Sequence, residues 1–124
     1  MINVTGIAFT GYPITDVPRA RAFYEGLLGL KTGTIWEHGT SFWIEYEIGP
    51  STLAISNMSQ DLWKPSPDGP SVALEVGNFD RAVATLRDGG VRFVVDPMDS
   101  GGCQMAIVAD PDGNSVILHQ LNKK

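Results

Sequence analysis

Apolar side chains recur at helical spacing in two segments of the chain. One stripe is formed by Val17, Ala20, Phe23, Tyr24, Leu27 and Leu28, and the second by Phe79, Ala82, Val83 and Leu86. This spacing is typical of a helix that buries one face. Asp16 and Asn78 suit the N-cap positions, and Gly29 and Gly89 suit the C-terminal ends. The pattern therefore predicts two amphipathic helices.

Short runs with strand character surround both predicted helices. One run precedes each helix, at residues 6–15 and 71–76. Three runs separated by turn residues follow each helix, at 34–37, 42–48 and 52–56 in the first half and at 91–95, 104–109 and 115–121 in the second. The predicted order of elements is βαβββ in each half.

The two halves also resemble each other in sequence. Residues 16–20 (DVPRA) and 78–82 (NFDRA) share a cap residue, two spacers and Arg-Ala, half a chain length apart. We therefore expect one α+β domain over residues 1–124, with module one at about 4–56, an extended linker at 57–70 and module two at 71–121. Because each helix covers only one sheet face, the paired modules should form a curved, mixed eight-stranded sheet around a cleft.

Composition limits the partners and the compartment. Fourteen acidic against nine basic residues give a net charge of −5, which disfavours binding to nucleic acid. No apolar run is long enough to cross a membrane, and the residues after Met1 do not form a secretory signal. Cys103 is the single cysteine, so no internal disulfide can form. We expect a cytoplasmic protein that does not associate with membranes.

Three motifs carry a resemblance to a known superfamily: residues 16–24 (DVPRARAFY), 28–30 (LGL) and 109–114 (ADPDGN). With these motifs the chain resembles the vicinal oxygen chelate superfamily, which includes glyoxalase I, extradiol dioxygenases and bleomycin-resistance proteins. The resemblance implies paired βαβββ modules around a small-molecule cleft and, commonly, a homodimer with the cleft across or beside the interface. It does not fix the chemistry, because the fold hosts many reactions.

Metal-dependent members of that superfamily hold an ion through His or Glu on the first and last strands of each module. The resemblance places those positions at Phe9, Ala54, Ser71 and Ile117. Three of these side chains have no donor atom, and a serine hydroxyl is a poor ligand for a transition metal. We therefore expect no bound metal, no other cofactor, and neither metal-dependent glyoxalase nor dioxygenase activity.

Strand alternation predicts which side chains of module one line the cleft. A two-residue turn at 49–50 would pair Glu45 with Ala54 and Trp43 with Ser56, placing them on the cleft face.

For module two, a four-residue turn at 110–113 would pair Gln104 with His119 and Ala106 with Ile117. Taking both modules together, we predict these ligand-binding residues: Phe9, Trp43, Glu45, Ser71, Glu75, Gln104, Ile117 and His119.

The leading hypothesis is a metal-independent protein that binds a hydrophobic or weakly cationic small molecule, similar to the bleomycin-resistance members. It depends on the four positions without metal ligands, on an aromatic lining that includes Trp43, and on the cleft carboxylates of Glu45 and Glu75. For Trp36 and Trp63 we expect packing in the core or in a dimer interface. A homodimer is expected because each module leaves an open sheet edge.

Two alternatives stay open. The chain could be a lyase or isomerase, either metal-free and using Glu75 or His119 as catalytic proton carriers, or with a relocated metal site. It could also be a protein-interaction module with a vestigial pocket.

Overall fold

The computed structural model describes residues 1–3, 5–58 and 60–122, so the predicted start of module one at residue 4 lies outside the described residues. Module one contains β1 (Thr10–Pro13), α1 (Val17–Arg21) with a π-helical continuation (Ala22–Leu27), β2 (Lys31–His38), β3 (Ser41–Ile48) and β4 (Ser51–Ser56). Module two contains β5 (Ala73–Glu75), α2 (Phe79–Asp88), β6 (Phe93–Asp99), β7 (Cys103–Ala109) and β8 (Ser115–Leu121). The described residues include no helix both long and apolar enough to span a membrane.

Each module builds its own four-stranded sheet, in the orders β1-β4-β3-β2 and β5-β8-β7-β6. In both sheets the first strand is parallel to the last, and the other pairs are antiparallel. The α+β class and the tandem βαβββ order are confirmed. Within the described residues the strand pairing stays inside each module, so two sheets stand in place of the predicted single eight-stranded sheet.

A tyrosine of the first sheet reaches into the second module. The backbone N–H of Val72, just before β5, donates to the hydroxyl oxygen of Tyr12 in β1 at 2.8 Å. The same hydroxyl donates to the backbone oxygen of Ser115 at 2.7 Å. Because the Val72 carbonyl accepts from Ile117 of β8, the Val72 amide also faces β8, and the Tyr12 hydroxyl bridges Val72 to Ser115 at the start of the second sheet.

The helices begin where the sequence predicts. The Asp16 carboxylate accepts a hydrogen bond from the backbone of Arg19, and the Asn78 side chain accepts one from Arg81, each at 3.0 Å. The first helix then widens: the N–H of Leu28 donates to the oxygen of Phe23, the spacing of a π-helix. Apolar periodicity did not distinguish this wider turn from an ordinary α-helical one.

The modules are joined through a buried polar contact in the loop between β7 and β8. The Asp110 carboxylate accepts hydrogen bonds from the Tyr24 hydroxyl at 2.7 Å and from the Asn114 side-chain amide at 2.9 Å. Burial and the negative charge of Asp110 raise the pKa of Tyr24 well above its ordinary value. Around this contact, the inner faces of both sheets and both helices pack into one hydrophobic core.

Candidate functional site

The face of the first sheet opposite its helix carries the residues predicted for module one. Glu45 pairs with Ala54, and Trp43 pairs with Ser56, in the register that the two-residue turn predicts. Trp36 of β2 pairs with Trp43 and therefore lies on the same face, where it is 66% exposed. A short turn fixes the register of the strands it joins, so this part of the prediction is confirmed.

Three aromatic rings meet on this face. The Phe9 ring lies edge-on to Trp43 with 5.1 Å between centroids, and Trp63 stacks on Trp43 at 6.4 Å. The indole N–H of Trp43 donates to the Glu45 carboxylate at 3.0 Å. We call Phe9, Trp43 and Trp63 the aromatic cluster. It places a carboxylate beside stacked indoles, an arrangement that suits a planar or cationic organic ligand.

Trp63 is the residue of this cluster that sequence reasoning assigned elsewhere, to the core or to a dimer interface. It belongs to the linker, where no strand alternation indicates a direction. The linker folds back onto β1, since a Cβ at Gly11 would lie 3.2 Å from the Trp63 ring. Gly11 pairs with Ala54. These two small residues leave room for a large ring, a signal present in the sequence.

The open face of the second sheet differs from the prediction in β7. His119 pairs with Met105, and Ile117 pairs with Ile107. The connection runs from Asp110 to Asn114, one residue longer than the predicted turn, and this shifts the register by one position. The predicted placement of Gln104 and Ala106 on the cleft face is therefore wrong.

The side chains at 104 and 106 belong to the helix side of the second sheet. Ala106 pairs with Leu118 inside the core and is fully buried. Gln104 pairs with Gln120, whose side-chain oxygen accepts a hydrogen bond from the backbone of Phe79 at the start of α2. Met105 and Ile107 replace them on the open face.

Glu75 and His119 are brought into direct contact. They pair in register between β5 and β8, with 2.5 Å between His119 Nδ1 and Glu75 Oε1. The other carboxylate oxygen accepts the backbone N–H of Leu121 at 2.9 Å. Hydrogen bonding to His119 first, and to Leu121 second, lowers the pKa of Glu75. A carboxylate with a lowered pKa is a weak proton acceptor but can orient an imidazole.

The predicted site residues form two groups. Phe9, Trp43 and Glu45 lie on the first sheet, whereas Glu75, Ile117 and His119 lie on the second. Within the described residues no hydrogen bond or ring contact connects the groups. A groove of about 390 Å³ between the modules has mostly apolar walls and includes Glu75.

The four positions that hold metal in relatives do not fit a metal here. Ala54 is fully buried and has only a methyl group, Ile117 pairs with Ile107, and Phe9 packs on Trp43. Ser71 offers one neutral hydroxyl. This donor set cannot satisfy the coordination of a divalent ion. Elsewhere in residues 1–3, 5–58 and 60–122, no three His, Cys, Asp or Glu side chains cluster as a metal site.

Comparisons with known proteins agree with this architecture. The chain superposes on TnmS3, an antibiotic-binding protein from Streptomyces sp. CB03234, with a TM-score of 0.78 and 20% identity, covering 98% of this chain and 100% of that one. It superposes on a glyoxalase/bleomycin resistance protein from the same organism with a TM-score of 0.75 and 22% identity, covering 93% of this chain and 100% of that one. For the trypanothione-dependent glyoxalase I of Leishmania major the TM-score is 0.74 and the identity 25%, over 96% of this chain and 87% of that one.

At identities of 20–25%, these structural similarities support the fold alone. No curated protein matches the chain. The family model for the glyoxalase/bleomycin resistance protein/dioxygenase superfamily matches residues 6–118, nearly the whole chain. The chain therefore belongs to the glyoxalase/bleomycin resistance protein/dioxygenase superfamily.

Proposed function

We propose that this protein binds a planar, hydrophobic or weakly cationic small molecule without the help of a metal. The observation that carries the proposal is the aromatic cluster on the open face of the first sheet, with the Glu45 carboxylate held at Trp43. Antibiotic binding by TnmS3, which shares the fold, is in keeping with such a role.

The chemistry of the cluster favours a flat ligand with a positive or hydrogen-donating edge. Stacking on an indole contributes about 0.5–1.5 kcal/mol beyond the burial of area. A cation over an indole face adds about 0.5–2 kcal/mol, depending on its desolvation. Glu45 is partly buried and accepts one hydrogen bond from Trp43, so a carboxylate oxygen is left to receive a ligand N–H.

Metal independence is supported by the donor set at Phe9, Ala54, Ser71 and Ile117, which offers a single hydroxyl. We expect elemental analysis of the purified protein to find zinc, nickel and iron far below one ion per chain. Near-stoichiometric metal would contradict the proposal.

We also propose that the protein is a homodimer. Its accessible surface is 7903 Å², whereas a monomeric folded protein of 13.4 kDa exposes roughly 6,500 Å². The excess is larger than the roughly 800 Å² that each partner buries in a standard interface. The exposed side chain of Trp36 lies on the open face of the first sheet. A second copy placed there would enclose the aromatic cluster.

A calorimetric titration with 9-aminoacridine, a planar aromatic cation, tests the proposed binding. Acridine-9-carboxylate, a planar anion with the same ring system, is the control ligand. We expect the cation to bind more tightly, Trp43→Ala to weaken it by roughly tenfold or more, and Glu45→Gln to remove the preference for the cation. Glu37→Gln removes the same charge from exposed β2 and should have no effect. Equal binding by wild type and Trp43→Ala would refute the proposal.

An enzymatic role is the second candidate, favoured by the contact between Glu75 and His119. Glu75 would orient the imidazole as a proton carrier for a lyase or isomerase reaction. The test is turnover of the hemithioacetal of methylglyoxal and glutathione in the presence of EDTA. If the wild type turns this substrate over and His119→Ala does not, the enzymatic role replaces the binding proposal. Absence of turnover in the wild type would support the binding proposal.

We also place the protein in the cytoplasm, in keeping with the free thiol of Cys103.

A further inference from the structure

A second cavity, of about 470 Å³, lies on the helix side of the molecule. Its walls come from the first helix, from the segment after α2 and from the loop between β7 and β8. The apolar side chains of Ala22, Phe23, Leu27 and Val91 form much of the lining. None of the residues of the aromatic cluster lines it, so this cavity is separate from the proposed binding site.

Close packing between the two helices builds one wall. A Cβ at Gly89 would lie 2.8 Å from Cδ2 of Leu27, so the absence of a side chain at Gly89 lets Leu27 approach the end of α2. Gly90 follows with φ of 76°, a conformation that favours glycine, and turns the chain toward β6. The cavity is therefore bounded by packed backbone and side chains, and its volume is in the range of small-molecule sites.

Two guanidinium groups belong to the lining of this cavity, and one of them carries an unneutralised charge. Arg19 and Arg92 both line it. Arg19 is 3.3 Å from Asp112, whose carboxylate also accepts hydrogen bonds from the backbone and hydroxyl of Thr15. Arg92 makes no ion pair with any other described residue. Arg92 is exposed, so its guanidinium is available to a ligand anion beside the apolar lining of this cavity.

We propose that this cavity binds an amphipathic monoanion, namely a carboxylate with an aryl or branched alkyl body. The body contacts Phe23, Leu27 and Val91, and the carboxylate receives N–H groups from Arg92. A guanidinium presents parallel donors that match a carboxylate, and burial of the apolar body adds about 25 cal/mol for each Å² removed from water. Arg19 is paired with Asp112, so Arg92 is the charged group assigned to the carboxylate.

The test is a titration of the full chain with 4-phenylbutyrate, monitored by calorimetry and by the methyl NMR signals of Leu27 and Val91. We expect saturable shifts at both methyl groups, and roughly tenfold or greater weakening in Arg92→Gln. Arg81→Gln removes the same charge from α2 outside this cavity and should bind as the wild type does. The neutral 4-phenylbutanol should bind much more weakly.

Ala22→Leu provides a variant that keeps the charge and fills the space. It should weaken 4-phenylbutyrate while leaving 9-aminoacridine binding at the aromatic cluster unchanged, which separates this proposal from the proposed function. Unshifted Leu27 and Val91 methyl groups at millimolar 4-phenylbutyrate would overturn the proposal. Equal affinity in wild type, Arg92→Gln and Ala22→Leu would also overturn it.

Discussion

At the scale of single residues, the site depends on side chains whose direction follows from strand alternation. Trp43 and Glu45 lie one pleat apart on β3, and the indole N–H reaches the carboxylate at 3.0 Å. Their common face could be predicted because a two-residue turn fixes the register of β3 on β4. Trp63 could not be placed in this way, because its position depends on tertiary contact with the small Gly11.

Enlarging residue 11 should displace Trp63 without removing any aromatic ring. In Gly11→Val the side chain meets the Trp63 ring, since even a Cβ would lie 3.2 Å away. We expect affinity for 9-aminoacridine to fall, together with a change in tryptophan fluorescence. Gly6→Val has open space around its Cβ and serves as the control. Unaltered fluorescence and affinity in Gly11→Val would show that Trp63 takes no part.

The hydroxyl of Tyr24 should contribute measurably to stability. Tyr24→Phe removes the 2.7 Å hydrogen bond to the buried Asp110 carboxylate, whose oxygen keeps the Asn114 amide as a donor. Loss of a hydrogen bond to a charged group should lower the free energy of unfolding by about 1.5–3 kcal/mol. Tyr46→Phe removes a bond to the partly exposed Glu25 and should cost less. Urea denaturation of both variants measures the difference. An equal or smaller loss in Tyr24→Phe would contradict the importance of the buried contact.

The pair Glu75–His119 predicts a dependence of stability on pH. The native pKa of Glu75 is lowered from 4.5, so its contribution is complete above 4.5 and is lost as the pH falls through the lower native value. The free energy of unfolding, measured with urea, should therefore fall less between neutral and acidic pH in Glu75→Gln than in the wild type. Glu37→Gln serves as the control for charge. Identical pH profiles in all three proteins would argue against the contact.

At the scale of elements, the order and type of nearly every strand and helix followed from periodicity and turn residues. The exceptions depend on features that periodicity does not encode. The connection between β7 and β8 includes Asn114, which donates to the backbone oxygen of Pro13 at 2.7 Å and to the Asp110 carboxylate at 2.9 Å. One contact within the loop and one to the first module hold Asn114 in the connection, which goes with the register that places Met105, not Gln104, beside His119.

The exposed strand β2 supplies a prediction about assembly. All its residues are exposed, and Trp36 presents a large apolar surface on the face of the aromatic cluster. Trp36→Lys should shift the proposed dimer toward monomer, because a charge is costly in an apolar interface. Light scattering at micromolar concentration measures the mass, and Lys31→Ala on the same strand is the control. If Trp36→Lys has the same dimeric mass as the wild type at the same concentration, this face is not the dimer interface.

At the scale of the whole molecule, two similar modules are joined by a core and by buried polar contacts of Tyr12, Tyr24 and Asn114, while the outer face of each sheet stays open. Within each module the order of the elements was predictable from the sequence, whereas the register of β7 on β8 was not. The relation between modules was not, because it depends on the hydroxyl of Tyr12 and on Asp110 meeting Tyr24. Three of the four positions that correspond to metal ligands in the superfamily are apolar here, the fourth is Ser71, and aromatic rings occupy the open face of the first sheet.

The most direct measurement is a calorimetric titration of 9-aminoacridine into EDTA-treated protein, repeated after zinc or nickel is restored. Binding through the aromatic cluster and Glu45 predicts the same affinity and stoichiometry in both titrations. Binding that is lost on chelation and returns with the metal would contradict the account.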